Sequence, residues 1–413
     1  MTNHWSRERA EPVAVGPPRR RMTRADRIRE ARGRRKRRVA GGFAVAMLIV
    51  VVVVAVFLGS KLWHSLFGSN DYSGDGVNDV VIQVHDGDST TAIGKTLQDH
   101  KVVATASAFV DAAEGNAAIS EIQPGFYKVR TEIPAANAVA RLADPQNRVG
   151  KLTIPEGRQL DDVRDVKTNA VTDGILSLIS KATCVDLDGE RNCVSADALK
   201  EVASTATPEA LKVPQWASQP VLAMGDDHRR LEGLIAAGTW NIDPSAQAQD
   251  ILSTLISASA TQYAQGGLLD TAAAMNMSPY EILTVGSLVQ RESTPEDFAK
   301  VARVIYNRLA ENRTLEFDST VNYPLDRIEV ATTDADRAQN NPWNTYVRPG
   351  LPATPICSPS QPALAAAEQP APGDWLYFVT VDMQGTTLFT RDYEQHLANI
   401  EVARRNGVLD SAR

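Results

Sequence analysis

The sequence predicts an α+β fold carried behind one membrane-spanning helix. Three observations lead there. Val39 to Leu58, VAGGFAVAMLIVVVVVAVFL, holds no ionisable residue in 20 positions, enough to cross a hydrocarbon core of ~30 Å as a helix. Short apolar runs bounded by Gly, Pro and Asp stand apart along the chain and read as strands: DVVIQV, GFYKV, KLTI, WLYFVTVD and TTLFT. The long stretches between them carry apolar residues at helical spacing, with neither an internal repeat nor the regular strand–helix alternation of a parallel sheet.

The N-terminal part comes first. Residues 1–38 hold 14 Lys/Arg against four Asp/Glu, so this tail carries about +10. With the whole chain at −7, the remainder carries about −17. Rich in Arg and Pro and poor in apolar residues, the tail is expected to be disordered. Residues 39–60 form the membrane helix, and the arginine excess on its N-terminal side keeps the tail in the cytoplasm. Everything after about Ser60 then lies outside, giving a single-pass protein of the cytoplasmic membrane. A cleaved signal peptide is the rival reading, but the apolar run is long for one and no A-x-A-like site follows. A basic run beside a membrane helix sets topology and touches anionic lipid, so no nucleic-acid partner is inferred.

Residues 61–78 are a Gly/Asn/Asp/Ser linker. From 79 to 150 the order is strand (79–84), Asp86-Gly87-Asp88 turn, helices near 90–100 and 104–113, strand (125–129) and helix (133–142). That small αβ unit is similar in pattern to a LysM fold. Residues 151–413 form a larger, mixed α+β domain. It opens with the strand and turn KLTIPEG, then a mainly helical stretch from Leu160 to Leu211, interrupted at TCVDLDGERNC. Cys184 and Cys193 flank a polar turn there; outside the cell they form a disulfide, or else remain two thiols. A turn-rich stretch (229–242) and a helix (244–265) follow.

Next, Ser278 to Asn312 reads as two helices joined by almost nothing. Ser278 caps the first, Pro279 fits its first position and Glu281 completes a capping box. Ser293 or Thr294, followed by Pro295, Glu296 and Asp297, starts the second. Glu292 stands at the joint, one turn above Leu288 and Val289. A carboxyl held against apolar side chains has its charged form disfavoured and its pKa raised, as a general acid near neutral pH requires. The alternative is a solvated helix-end residue paired with Arg291 or Arg303. Beyond this pair the chain is loop-rich to about Pro359, with Tyr323, Trp343 and Tyr346 among Asn322, Asn340, Asn341 and Asn344. Flat apolar faces beside amides suit a sugar cleft. A helix (359–368), two strands (375–382, 386–390) and a last helix (393–404) close the domain. No His/Cys cluster suggests a metal, no glycine-rich loop suggests a nucleotide, and no base stands beside Cys357 to make it a nucleophile. No cofactor is expected.

Seven ordered motifs carry a resemblance: KLTIPEG (151–157), LEG (231–233) with Gly238-Thr239-Trp240, SLVQRES (287–293), VIYNRL (304–309), LEFDSTVNY (315–323), NTYVRPGLPATPI (344–356) and WLYFV (375–379). Together they resemble the endolytic murein transglycosylases, the MltG or YceG-like family, from about Asp79 to Ile400. The resemblance implies a membrane-anchored lyase with a LysM-like module and a catalytic domain, cleaving the MurNAc–GlcNAc bond of nascent peptidoglycan to leave 1,6-anhydro-MurNAc ends. It implies peptidoglycan glycan strands, the inner membrane and glycan-polymerising synthases as partners. The catalytic glutamate falls on Glu292. Asp318, Thr320, Tyr323, Asn344 and Tyr346 match the pattern as substrate-binding candidates, each otherwise a loop-stabilising residue. Four positions depart from the pattern: Gln290 for a glutamate, Ala237-Gly238 for proline-aspartate, Ser319 for proline, and the Thr387 region for a histidine.

Two other classes fit some of these features. A silent peptidoglycan-binding or division-scaffold protein would keep the cleft without needing Glu292 protonated. A lysozyme-like muramidase would need a second carboxylate, for which Glu296, Asp297 and Asp318 are the near candidates.

Overall fold

The apolar run of Asp79–Val84 (β1) and the mostly buried Gly125–Arg130 (β2) pair antiparallel, Ile82 opposite Tyr127. A computed structural model describes residues 71–166, 168–325 and 332–408, the backbone of 327–328, and the helical positions Met47 and Val54. The basic tail, most of the expected membrane helix and the linker up to Asn70 lie outside the described residues. Among the described residues no helix is long and apolar enough to cross a membrane.

Asn70–Arg413 form one compact unit. Between β1 and β2 run Thr90–Asp99 (α1), whose first turn is capped by the Ser89 hydroxyl accepting from the Ala92 amide at 3.2 Å, and Ala106–Ala113 (α2), capped likewise by Thr105. Ala135–Ala143 (α3) and the short edge strand Arg148–Val149 (β3) follow. Ile82, Leu97, Phe109, Val129, Ile133 and Leu142 are fully buried and form a core separate from that of the rest of the chain.

The larger core begins at Lys151–Ile154 (β4). The following turn needs Gly157 at φ 72°, and its amide donates to Ser358 O at 2.8 Å, tying the turn to the far end of the chain. Residues 160–211 are less helical than their composition suggests. Val163–Asp165 (β5) and Val171–Thr172 (β6) precede Ile175–Thr183 (α4). The cysteine stretch is a hairpin, Val185–Leu187 (β7) and Glu190–Asn192 (β8), turned by Asp188 and Gly189, both at positive φ. Cys184 and Cys193 close it with a disulfide. Ala196–Thr205 (α5) and Gln215–Ala223 (α6) then lead to Gly238–Asn241 (β9), which returns to pair with β4, Leu152 opposite Trp240.

Ala248–Gln265 (α7) packs on α5 and on Leu268–Met275 (α8), which packs in turn against Pro279–Glu292 (α9). The capping box of α9 forms as the sequence predicts: Ser278 Oγ accepts from the Glu281 amide and Glu281 Oε2 from the Ser278 amide. Ile282, Leu283, Val285, Leu288 and Val289 are all fully buried, a transfer gain of about 10 kcal/mol at ~2 kcal/mol each, before the entropy of ordering them. A turn over 294–297 separates α9 from Phe298–Ala310 (α10), which starts later than Thr294. Asp318–Asn322 (α11), Arg327–Ile328 (β10, beside β5) and Asp334–Arg337 (α12) interrupt the expected loop. Gln361–Glu368 (α13), the antiparallel pair Tyr377–Thr380 (β11) and Thr387–Thr390 (β12), and Tyr393–Arg405 (α14) complete an α+β fold. Gly286 lets α13 approach α9: a Cβ there would lie 3.3 Å from Leu364 Cδ1.

Candidate active site

Glu292 is the last residue of α9, and Ser293 after it is fully extended, so the helix stops at the carboxylate. The final turns of α9 are pinned from behind. Ser287 Oγ accepts from the Ile356 amide at 3.0 Å, and Gln290 Oε1 accepts from the amide of Ser360, the cap of α13, at 2.8 Å. The glutamine that departs from the family pattern therefore has a scaffolding task here.

The opposite wall is built by VIYNRL. Tyr306, Asn307 and Arg308 each hold a backbone carbonyl: Tyr306 OH donates to Ala367 O (2.7 Å), Asn307 Nδ2 to Trp375 O (2.9 Å) and Arg308 Nε to Leu376 O (2.7 Å). Arg308 Nη1 also reaches Thr314 O, Leu315 O and Glu316 Oε2. One buried guanidinium thus joins the chain after α10 to β11. Between the walls lies a cleft of about 330 Å³, with Glu292, Asp318 and Tyr346 on it beside the aromatic rings of Phe317, Tyr377 and Phe378. A second hollow of about 350 Å³ lies by Asp161 and Lys200, but its charges neutralise one another: Asp161 meets Lys200 at 3.1 Å and His228 at 2.7 Å. Of its other acids Asp162 accepts from the Gly174 amide and Asp197 is exposed to solvent, whereas the Glu292 carboxyl is buried and its pKa raised, so the chemistry is placed at Glu292.

Of the three cleft carboxyls, Glu316 pairs with Arg308 at 3.0 Å, while Glu292 and Asp318 have opposite environments. Glu292 keeps some accessible surface, but burial of its carboxyl pushes its pKa to about 7, and the charge of Asp318 adds to the rise. Ser319, whose hydroxyl and amide lie near, and Arg291 offset part of it; the Ser319 hydroxyl makes no well-formed hydrogen bond. Burial also acts to raise Asp318, but is outweighed. Asp318 accepts from Arg337 Nε and Nη2 (both 3.1 Å), Thr332 Oγ1 (2.7 Å) and Tyr346 OH (2.7 Å), and its pKa falls below the ordinary carboxyl value. One carboxyl is poised to hold a proton near neutrality while its neighbour stays ionised. Of Glu296, Asp297 and Asp318, only Asp318 lines this cleft; Asp297 pairs with Lys300 at 2.8 Å.

Glu292, Asp318 and Tyr346 are thus brought together, whereas the other three candidates lie behind the wall. Thr320 is fully buried, its hydroxyl donating to Phe317 O and meeting Thr345 Oγ1 at 2.8 Å. Tyr323 OH donates to the buried Glu232 at 2.8 Å and its ring meets Trp343 edge-on. Asn344 is fully buried too, its amide donating to Arg337 O and Gln339 O while its carbonyl accepts from the Tyr346 amide. Arg308, Tyr377, Phe378 and His396 line the cleft without having been singled out. The first three sit in motifs quoted above, but nothing in the sequence marks His396. Cys357 is fully buried and burial pushes its thiol far above the ordinary value, leaving it unreactive. Among the described residues no group of His, Cys, Asp and Glu could hold a metal.

Comparison with known proteins bears on this arrangement. The model of the YceG-like family matches residues 82–402. The chain is 26% identical over 333 residues to an endolytic murein transglycosylase of Streptococcus pneumoniae serotype 2, covering 78% of this chain and 58% of that protein. It is 26% identical over 325 residues to an endolytic murein transglycosylase of Bacillus subtilis, covering 78% of this chain and 84% of that one. The chain thus spans less than two thirds of the pneumococcal relative. A crystal structure of a YceG-like protein from Listeria monocytogenes is similar at a TM-score of 0.51 and 25% identity, covering 78% of this chain and 98% of that one.

Proposed function

The chain belongs to the YceG-like family, and from that premise we propose that it is a membrane-anchored endolytic murein transglycosylase. On this reading Val39–Leu58 holds it in the cytoplasmic membrane, with the basic tail inside and residues 79–413, a LysM-like module and a catalytic domain, outside. It cuts the MurNAc–GlcNAc bond of nascent glycan strands without water, leaves 1,6-anhydro-MurNAc ends and so limits strand length beside the glycan-polymerising synthases.

The observation that carries this reading is Glu292 with a pKa of about 7 in a cleft it shares with an ionised Asp318. In such a reaction the attacking group is the sugar's own C6 hydroxyl, so one carboxyl can serve both steps. Glu292 gives its proton to the departing O4, then takes the C6 hydroxyl proton as the anhydro ring closes. Asp318, charged and held by three donor side chains, stabilises the oxocarbenium-like charge that develops between. The aromatic rings offer flat faces to the sugars.

Because Asp318 faces the same cleft, hydrolysis is the second reading: a carboxylate there could direct water instead. Product ends separate the two. Mass spectrometry of products from uncrosslinked peptidoglycan is expected to give anhydro-muramyl ends with the wild type and none with Glu292→Gln, which should still fold and bind strands. Reducing ends would establish the hydrolase. Unchanged cleavage by the variant would remove Glu292 from the mechanism, and no products from either would favour a binding or scaffold protein.

A further inference from the structure

His396 shares the cleft with Glu292 and Asp318, and the mechanism above gives it no task. It projects from α14, whose first turn is capped by Asp392. Its ring lies on that of Tyr377, centroids 4.9 Å apart and planes 20° from parallel. Tyr377 is itself fixed: its hydroxyl accepts from Arg313 Nη2 at 2.5 Å, and the Arg308 guanidinium sits over its ring at 5.0 Å. The imidazole therefore has a set orientation.

Its nitrogens differ. Nδ1 is buried and has no hydrogen-bond partner among the described residues, whereas Nε2 is not among the sealed atoms. Burial and the charge of Arg308 lower the His396 pKa, so the ring is neutral at pH 7 and carries one N–H. A sealed N–H with no acceptor costs more than a sealed lone pair, so the proton belongs on Nε2. That leaves a neutral ring donor on the cleft lining, next to the Tyr377 hydroxyl, which accepts from Arg313 and keeps its own proton. The other neighbouring donors are engaged: Arg308 on backbone carbonyls and Glu316, Arg337 and Tyr346 on Asp318. Anionic groups entering here would meet Asp318 and Glu316, which line the same space. The acceptor that fits is uncharged and strong, and on an amino-sugar strand that is the acetamido carbonyl.

We propose that His396 is a substrate-binding residue that donates a hydrogen bond from Nε2 to an acetamido carbonyl oxygen of the glycan strand. This rests on reading the cleft as a glycan-strand site, but not on which bond is cut. The test is a binding titration of soluble, uncrosslinked glycan strands into the full chain carrying Glu292→Gln, so that ligand is not consumed. His396→Phe, which keeps a flat ring on Tyr377 and has no nitrogen, is expected to weaken binding about tenfold, the size of one net hydrogen bond. His396→Gln, with an amide donor, should recover most of it. On chemically de-N-acetylated strands, whatever their absolute affinity, His396→Phe should cost nothing further. His396→Ala carries the same expectations should the Phe variant melt early. Equal affinity of a folded variant for acetylated strands overturns the proposal, as does an equal loss on both kinds of strand. Failure of the wild type to make anhydro ends would sink the transglycosylase reading alone. Failure of the Glu292→Gln protein to bind strands would sink this proposal too.

Discussion

Replacing Glu232 by Gln should stabilise the protein above neutral pH and change it little in acid. Glu232 is fully buried; Oε2 accepts from the Leu160 amide at 3.0 Å and from Tyr323 OH at 2.8 Å, while Oε1 has no partner among the described residues. Burial outweighs those bonds and pushes its pKa from 4.5 to about 7. The folded state therefore holds a proton that the unfolded chain releases above about pH 4.5. The associated stability is fully present below that pH and is lost as pH rises through 7. A shift of about 2.5 units at 1.36 kcal/mol each sets the loss at about 3 kcal/mol, complete near pH 8. Gln keeps an oxygen for Tyr323 and Leu160 and cannot ionise, so the variant should lose this part of the pH dependence. Glu292 titrates in the same window and supplies a further part that the variant retains. The assay is thermal or denaturant unfolding at pH 5 and pH 8, comparing the gap between variant and wild type. A gap that moves toward the variant by several degrees in melting temperature is the expected result. A gap that is the same at both pH values would refute the reasoning, because Glu232 would then be ionised, or neutral, in both states alike.

The rest concern the cleft and the hairpin. Above about pH 7 wild-type kcat/KM should fall about tenfold per unit as Glu292 loses its proton, and Asp318→Asn, which removes a charge that raises the Glu292 pKa, should bring that fall to lower pH and cut kcat about 10²-fold or more; an unmoved alkaline limb in the pH–rate profile would count against the pairing. Replacing Cys184 and Cys193 by Ser opens a loop of about ten residues and should cost about 2–3 kcal/mol of stability; melting temperatures indifferent to the substitution and to reductant would show that the hairpin holds without its bond.

What was legible in the fold followed local chemistry. β1, the Ser278 capping box and the last helix all announce themselves by a short apolar run, caps and spacing, and the structure has them. What was missed depends on partners far along the chain. β9 is extended because it pairs with β4 some 86 residues earlier, and β5 lies beside β10, which joins Arg327 to Arg164; nothing in GTWN or VRD alone requires a strand. At the cysteine hairpin the turn was legible and its strands were not: Asp188-Gly189 is a two-residue turn of the sort that hairpins prefer, but three-residue strands beside it are too short to show a pattern.

At the site, motifs indicate which segments matter but not which side of a wall each residue faces. Asp318 and Thr320 are two apart on α11, roughly 200° around a helix, so a helix that aims Asp318 at the cleft must aim Thr320 away from it. The structure has Asp318 on the cleft and Thr320 sealed behind, bonded to Thr345. That divergence was readable only once the loop was recognised as a helix. Asn344 follows another rule. A long segment that walls a cleft has to satisfy its own backbone before it can serve a ligand. Asn344 binds the carbonyls of Arg337, which ends α12, and of Gln339 beyond it and receives the Tyr346 amide, and the Tyr346 hydroxyl then reaches Asp318. The amides that suggested sugar recognition therefore include one that acts through its neighbour. Substitution of Asn344 would be felt at the acid pair by way of Tyr346 and of Arg337, and a hydrogen-bond donor for the strand has to be sought elsewhere on the cleft, where His396 stands unengaged.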